Sequence, residues 1–445
     1  MAQQLTAASI FHTNLRPGIP ALVSLAIVAT VLTIMPTAQA QTVTVLHTFT
    51  RGGDGGFLAP SMSGGVTRDA GGNLYGTTNF GGNITGQCGE LGCGVVFKVS
   101  PHGVETPIYK FQGQPDGLNP DARVIFGPDG ALYGTTQQGG SGFCSPYGCG
   151  TVFKLQPPPT FCAAFECPWR ETIIYNFSSP ADGLFPVGDV TFDSAGNLYG
   201  TTEQGGAASC SCGTVFKLVR NSNGTWTKTT LYSFQGGDND GMEPMSPLVI
   251  DQAGNLYGTT PYGVGTGCIY GFGCGAVFEL TPSGSGWTET ILHVFTGGSD
   301  GGYPFAGLIF DASGNLYGAA SYGPGDFGYG TLFELMPQQG GGWNFSVPYT
   351  FNGQAESPGP LTIDAAGNLY GNAGGGEGGS GVVYRLTDSA GAWTFTTLYS
   401  FGFDNSQGFF PEGKVVLDTQ GNIYGVNSEG PYPSPDAGTV WELTP

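Results

Sequence analysis

The side chains best equipped for chemistry are carboxylates. Asp54, Asp116, Asp182, Asp240 and Asp300 each begin an Asp-Gly pair, and the last four stand in "DGLNP", "DGLFP", "DGMEP" and "DGGYP". An aspartate at such a turn bonds nearby backbone amides. It can equally offer oxygens to a hydroxylated ligand or to calcium. "GGDNDG", with Asp238 and Asp240, comes nearest to a calcium loop but lacks the full D-x-D-x-D-G spacing and its distal glutamate. No cofactor is therefore expected, with calcium the single candidate. Asp69, Asp193, Asp251, Asp311, Asp364 and Asp418 recur so evenly that turn capping accounts for them, since an active site is normally asymmetric; Gly127 fills the corresponding place in the second unit.

Histidine is confined to His12, His47, His102 and His293, and neither a Ser-His-Asp arrangement nor a His-rich metal site is readable. A carboxylate pair can still run glycoside chemistry without histidine. Phe80, Tyr147, Tyr262, Tyr270, Phe272, Tyr322, Phe327 and Tyr329 fall between the recurring motifs, where they can stack on sugar rings or pack on one another. Phe80, Tyr262 and Tyr322 join the five Asp-Gly aspartates as candidate ligand-binding residues. No catalytic residue is assigned.

The ten cysteines form local pairs: Cys88 with Cys93, Cys144 with Cys149, Cys162 with Cys167, Cys268 with Cys274, and the closer Cys210 and Cys212. Disulfides are expected for the four wider pairs in an exported chain. Cys210 and Cys212 are too close for a relaxed bridge and their state is left open. Zinc is the rival, but no pair has a histidine nearby, and no metal site is assigned.

Export follows from the first forty residues: "ALVSLAIVATVLTIM" is apolar from Ala21 to Met35, and "AQA" at Ala38 to Ala40 resembles a cleavage site. Residues 1–40 are expected to be a signal peptide and 41–445 a single domain, periplasmic or extracellular, with no membrane contact after cleavage. With 13 Lys and Arg against 33 Asp and Glu, the net charge of −20 argues against nucleic acid or anionic lipid as a partner.

The elements that must position these residues are written as repeats. "GNLYGTT" begins at Gly72, Gly196 and Gly254, with looser copies at Gly130, Gly314, Gly367 and Gly421. Seven copies of a "GTVFKL"-like phrase follow in step, from Gly94 to Gly438, and seven strands end at Phe49, Phe111, Phe177, Phe234, Phe295, Phe351 and Phe401. Each unit reads as four short strands, A to D, which predicts an all-β, seven-bladed propeller of four antiparallel strands per blade; a β-solenoid is the alternative. An orphan D strand near 43–49 opens the mature chain and an A-B-C set closes it. Pairing the two completes the seventh blade, whereas a solenoid would need polar caps. The D-A and B-C loops then share one face.

The unit "D-x-x-G-N-L-Y-G-T-T … G-T-V-F-K-L", spanning Val43 to Pro445, resembles the GloVer-type tandem repeat of bacterial surface and secreted proteins. Its pattern is also similar to NHL-type propeller repeats. That resemblance implies architecture and export but no established activity. Stopping at "WELTP", unlike anchored members, the chain is expected to be released. The functional expectation is a secreted binding or scaffold module for a polysaccharide or protein ligand on the D-A and B-C face. The rival is a carbohydrate-active or calcium-dependent hydrolase or lyase, which carboxylates converging on the central channel would favour.

Overall fold

The computed structural model describes residues 41–445 apart from 57–63, 86, 145, 160–167, 207–209, 266–267, 269–270, 324–327, 377–378, 403–406 and 432–436. Seven four-stranded antiparallel sheets succeed one another along the chain and form the blades of a β-propeller. Blade 4 has strands A to D at Val249–Ile250, Leu256–Thr260, Ala276–Ser283 and Gly286–Val294. Strand A is shorter than expected, only two or three residues in blades 1 to 6, because most of the segment before it belongs to the D-A loop.

Blade 7 is shared between the chain ends. Thr42–Thr48 pairs with Thr439–Thr444 in the order D-C-B-A, with Thr42 opposite Thr444 and Thr48 opposite Thr439. On the inner side, Lys414 N donates to Gly64 O at 2.9 Å, which joins strand A of blade 7 to the start of blade 1. The chain is a closed ring.

The repeated letters now have causes. The motif glycine lies opposite the strand C aromatic, as Gly200 does opposite Phe216 and Gly258 opposite Phe278. A Cβ at either glycine would sit 2.6 Å from the ring's Cζ, so only glycine lets the ring lie flat across strand B. The motif tyrosine faces the next blade: Tyr133 meets Phe192 and Trp226 edge-on at 4.9 and 6.3 Å. Its hydroxyl is held by the turn aspartate. In blade 3, Asp193 accepts from Asn197 N, Asn197 Nδ2 and Tyr199 Oη at 2.9, 2.7 and 3.0 Å. In blade 2 the duty passes to Asp129, which accepts from Tyr133 Oη at 3.1 Å.

The D-A loop of each of the first six blades pairs with the start of its B-C loop. Gly117–Leu118 lies against Gln138–Gly139, Gly241–Met242 against Tyr262–Gly263, and single bridges link Gly56 to Phe80, Leu184 to Gln204, Gly302 to Tyr322 and Glu356 to Gly374. Both loop sets therefore build one face, as expected. Bridges join Cys88 to Cys93, Cys144 to Cys149, Cys268 to Cys274, and also Cys210 to Cys212, the pair left open by sequence. Cys162 and Cys167 lie outside the described residues.

Candidate functional site

The Asp-Gly aspartates turn inward on their own loops. Asp116 accepts from Tyr109 Oη at 2.9 Å, Gln112 N at 3.0 Å and Gly117 N at 2.7 Å. Asp240 takes the same three bonds from Tyr232, Gln235 and Gly241 at 3.0, 2.6 and 2.7 Å. Asp182 accepts from Tyr175 Oη at 2.8 Å, Asp300 lies 3.1 Å from His293 Nε2, and Asp54 lies 3.6 Å from His47 Nε2. Five carboxylates chosen for their turn residues thus brace the loops against the strand D tyrosine or histidine. Among the described residues, no group of three or more His, Cys, Asp and Glu has a spacing that would hold a metal ion.

A different set of carboxylates meets where the A strands converge. Thr191 Oγ1 of blade 3 donates to Leu248 O of blade 4 at 2.7 Å, so adjacent A strands are within hydrogen-bond reach. Asn79 Nδ2, at the end of strand B in blade 1, donates to Asp121 Oδ1 at 3.1 Å. Burial, and then the charge of Glu203 in blade 3, pushes Asp121 up to about 7. Glu412, entering blade 7, is also pushed up to about 7, by burial first and then by Asp121 and Glu429, against a hydrogen bond from Ser428. Burial and the neighbouring Glu243 raise Glu203, and burial raises Glu243. Blades 7, 2, 3 and 4 therefore supply an arc of carboxylates that feel one another across blade boundaries.

Two residues beyond Asp121 and Glu412 stand the cations Arg123 and Lys414, and both act on Asp189 of blade 3. Arg123 bonds Asp189 through its backbone N at 2.8 Å, Nε at 3.0 Å and Nη2 at 3.0 Å. Asp189 is only 3% exposed. Burial, then Arg123, brings Lys414 down to about 8 against the pull of Asp189. Arg123 is thus paired with Asp189, and Lys414 feels the same carboxylate.

In blade 5 two of the arc positions turn aromatic, Tyr303 where blade 4 has Glu243 and Phe305 where blade 2 has Asp121. Tyr262 packs against Tyr303 and Phe305 at 5.6 and 5.8 Å, and Tyr303 against Tyr322 at 5.1 Å. The predicted Tyr262 and Tyr322 therefore belong to one cluster about the buried Tyr303, whereas Phe80 sits apart in the blade 1 loop, its backbone paired with Gly56. Met242, Glu243, Tyr262 and Phe272 line a cavity of about 230 Å³, and Phe272 is 61% exposed beside it. Tyr262 feels Glu243 and Glu203 as well as its own burial, so rings and acids adjoin.

The acidic arc went unrecognised in the sequence, but a signal was present. The residue X before the loop proline varies from blade to blade, within D-G-x-X-P in blades 2 to 5 and within the altered QAESP and QGFFP of blades 6 and 7. It adopts left-handed backbone at Asn119, Phe185, Glu243, Tyr303, Ser357 and Phe410, with φ of 54°, 58°, 58°, 55°, 47° and 58°. Such a conformation costs a non-glycine residue about 1 kcal/mol. Glu243 and Tyr303 belong to the acid and aromatic sets, while Ser357 and Phe410 line a second cavity.

A ring of seven repeat-built blades with one elaborated face defines the class: an asymmetric tandem-repeat propeller. The chain belongs to the Gloeobacter/Verrucomicrobia repeat family, whose model matches residues 29–267 and 270–445. No curated protein matches it. Among solved structures it is similar to a protein assigned to the gluconolactonases, at 14% identity over 92% of this chain and 93% of that one, with a TM-score of 0.39. It is also similar to a gluconolactonase of Xanthomonas campestris (13%, covering 61% and 74%, TM-score 0.35) and to a Lactobacillus plantarum protein (13%, covering 79% and 95%, TM-score 0.45). Likenesses this distant say nothing about this chain's chemistry.

Proposed function

We propose that the chain is an exported binding module that takes a saccharide on the loop face, between the aromatic cluster of blades 4 and 5 and the acidic arc. The observation that carries this reading is the cavity that Tyr262 and Phe272 share with Glu243, with Phe305 packed on Tyr262. Aromatic faces suit the apolar C–H face of a pyranose, and carboxylates suit its hydroxyls. Export is supported by the leader-like residues 1–40 and the four bridges. No helix among the described residues is long and apolar enough to cross a membrane. Titration of the mature chain with a panel of bacterial and plant oligosaccharides tests the reading. Saturable binding that Tyr262→Ala weakens about tenfold or more is expected, as for loss of one stacked ring; a panel with no binder refutes it.

A second reading, glycoside hydrolysis or lysis, is favoured by Asp121 and Glu412, which are held near 7 and confined to one side of the ring. New reducing ends from a panel glycan, lost in Asp121→Asn and Glu412→Gln, would establish it. Binding without turnover would remove it.

A further inference from the structure

The second cavity lies between blades 6 and 7, at one end of the acidic arc. It measures about 180 Å³ and is lined by Ser357, Pro360, Asn372, Phe410, Pro411 and Glu412, among others. Its origin is legible in the repeat. Blade 2 continues its loop proline with Asp121-Ala122-Arg123 before Val124, whereas blade 6 has only Gly359-Pro360 before Leu361. One residue and two long side chains are missing, and space remains.

We infer that this cavity is a subsite for a primary ammonium group borne on a sugar ring, with Glu412 as its counter-charge. The inference rests on the saccharide reading above and narrows it to amino sugars. Size sets the first limit: a cavity of about 150 Å³ accommodates benzene. This one therefore takes a single six-membered ring.

The wall sets the second limit. Pro360, Pro411, Phe410 and Ala373 give it apolar surface, and Asn372 commits its Nδ2 to Gly413 O at 2.9 Å. Glu412 Oε1 accepts from Ser428 Oγ at 3.1 Å, while Oε2 is buried with no hydrogen-bond partner. A buried carboxylate oxygen left unpaired is costly, and a turn of the Glu412 side chain into the cavity would let a ligand's donor relieve it.

Charge sets the third. The groups that act on Glu412 are Asp121 and Glu429, both acidic, with Ser428 as its donor. Lys414, two residues on, is drawn to Asp189. An anionic ligand is repelled here, a neutral hydroxyl satisfies only the hydrogen bond, and an ammonium satisfies both hydrogen bond and charge. The net charge of −20 steers cations toward the molecule as well.

Calorimetric titration of the mature chain at pH 7 with a glucosamine oligosaccharide and its fully N-acetylated counterpart of equal length tests this. The free amine is expected to bind about tenfold tighter, the scale of one hydrogen bond to a charged group. Glu412→Gln, nearly isosteric, should abolish that preference, so that the free and the acetylated sugar bind with equal affinity. Glu412→Asp should keep part of the preference. Equal affinities in the wild type overturn the amine subsite while the saccharide reading stands. A preference that survives in Glu412→Gln overturns the role of Glu412. No binding of either sugar, with a negative panel, overturns both readings together.

Discussion

Lys228 Nζ lies 2.9 Å from Asp182 Oδ1 and ties the outer strand of blade 3 to the loop that caps Tyr175 of blade 2. Lys228 stands six residues before Phe234. At the same register blades 1, 2 and 4 carry Glu105, Glu171 and Glu289, and blades 5 and 6 carry Phe345 and Phe395. The glutamates' Oε1 atoms are buried without hydrogen-bond partners. Burial, then the charge of Asp116, pushes Glu171 up to about 8, and burial with Asp240 pushes Glu289 up to about 7. At this register one interface brings opposite charges together and several bring like ones.

A pH dependence follows. Folded Glu171 keeps its proton up to about 8, whereas the unfolded chain releases it near the ordinary glutamate value of about 4.3. Between those limits the unfolded state binds fewer protons, so the contribution of Glu171 to stability is full below about 4.3 and is lost as pH climbs through about 8. Glu171→Gln should flatten the decline. Glu171→Lys, copying blade 3, should exceed the wild type by about 1 kcal/mol at pH 8 and by less at pH 5. Urea unfolding at the two pH values measures both. An unchanged slope in Glu171→Gln would show that another group sets it.

The turn aspartate and the motif tyrosine form one hydrogen-bonded unit, so their losses should be unequal. Asp193→Ala strands three donors of Asn197 and Tyr199 together with Ala195 N, which Asp193 accepts at 2.9 Å. We expect a cost of about 2–4 kcal/mol, against about 1 kcal/mol for Tyr199→Phe, which removes a single bond. Because these turns are at the other ends of the strands from the D-A and B-C loops, saccharide affinity should stay the same in both variants. A drop in affinity would mean that the two faces are coupled.

Gly200 and Phe216 should behave as a coupled pair. Gly200→Ala drives a methyl to within 2.6 Å of Phe216 Cζ, and overpacking of that kind costs about 1–3 kcal/mol. Phe216→Leu, costly alone through the cavity it leaves, should be partly compensated by Gly200→Ala. A double-mutant cycle in urea then gives a favourable interaction energy. Strict additivity would show that the ring moves aside freely.

The blades and their closure were legible because a repeat written seven times averages out local ambiguity: the glycine, tyrosine and aspartate recur wherever the same neighbour recurs. For the same reason the site was hard to read. Asp116 and Asp240 attracted attention as repeated carboxylates, yet repetition is the mark of a structural duty, and their oxygens brace their own loops. Asp121, Glu203, Glu243 and Glu412 occur once each at variable positions beside constant ones. They become a group only when the ring closes and brings blades 7, 2, 3 and 4 around one axis. Tyr262 and Tyr322 were singled out as aromatics between the recurring motifs that can stack on sugar rings, but their meeting through Tyr303 depends on which blades adjoin.

Closure itself can be cut and re-made. Phe49 lies buried in the cluster between blades 7 and 1, its N donating to Gly438 O at 3.2 Å, and Val43 is buried against Trp441 and Leu443. Deleting residues 41–49 removes those side chains, at about 1.5–3 kcal/mol each. It also bares the backbone edge of Thr439–Thr444, a template for intermolecular pairing. The truncated chain should melt at lower temperature and elute as oligomers in size-exclusion chromatography. Appending the same nine residues after Pro445 through a two-residue turn puts strand D back beside strand C in the order used by the other six blades. That rearranged chain should recover both the elution volume and the melting temperature of the full chain. If the truncation alone melted like the wild type as a monomer, the ring would not depend on its first strand. If the rearranged chain stayed oligomeric, pairing at this edge would require the strand to enter from the amino-terminal side.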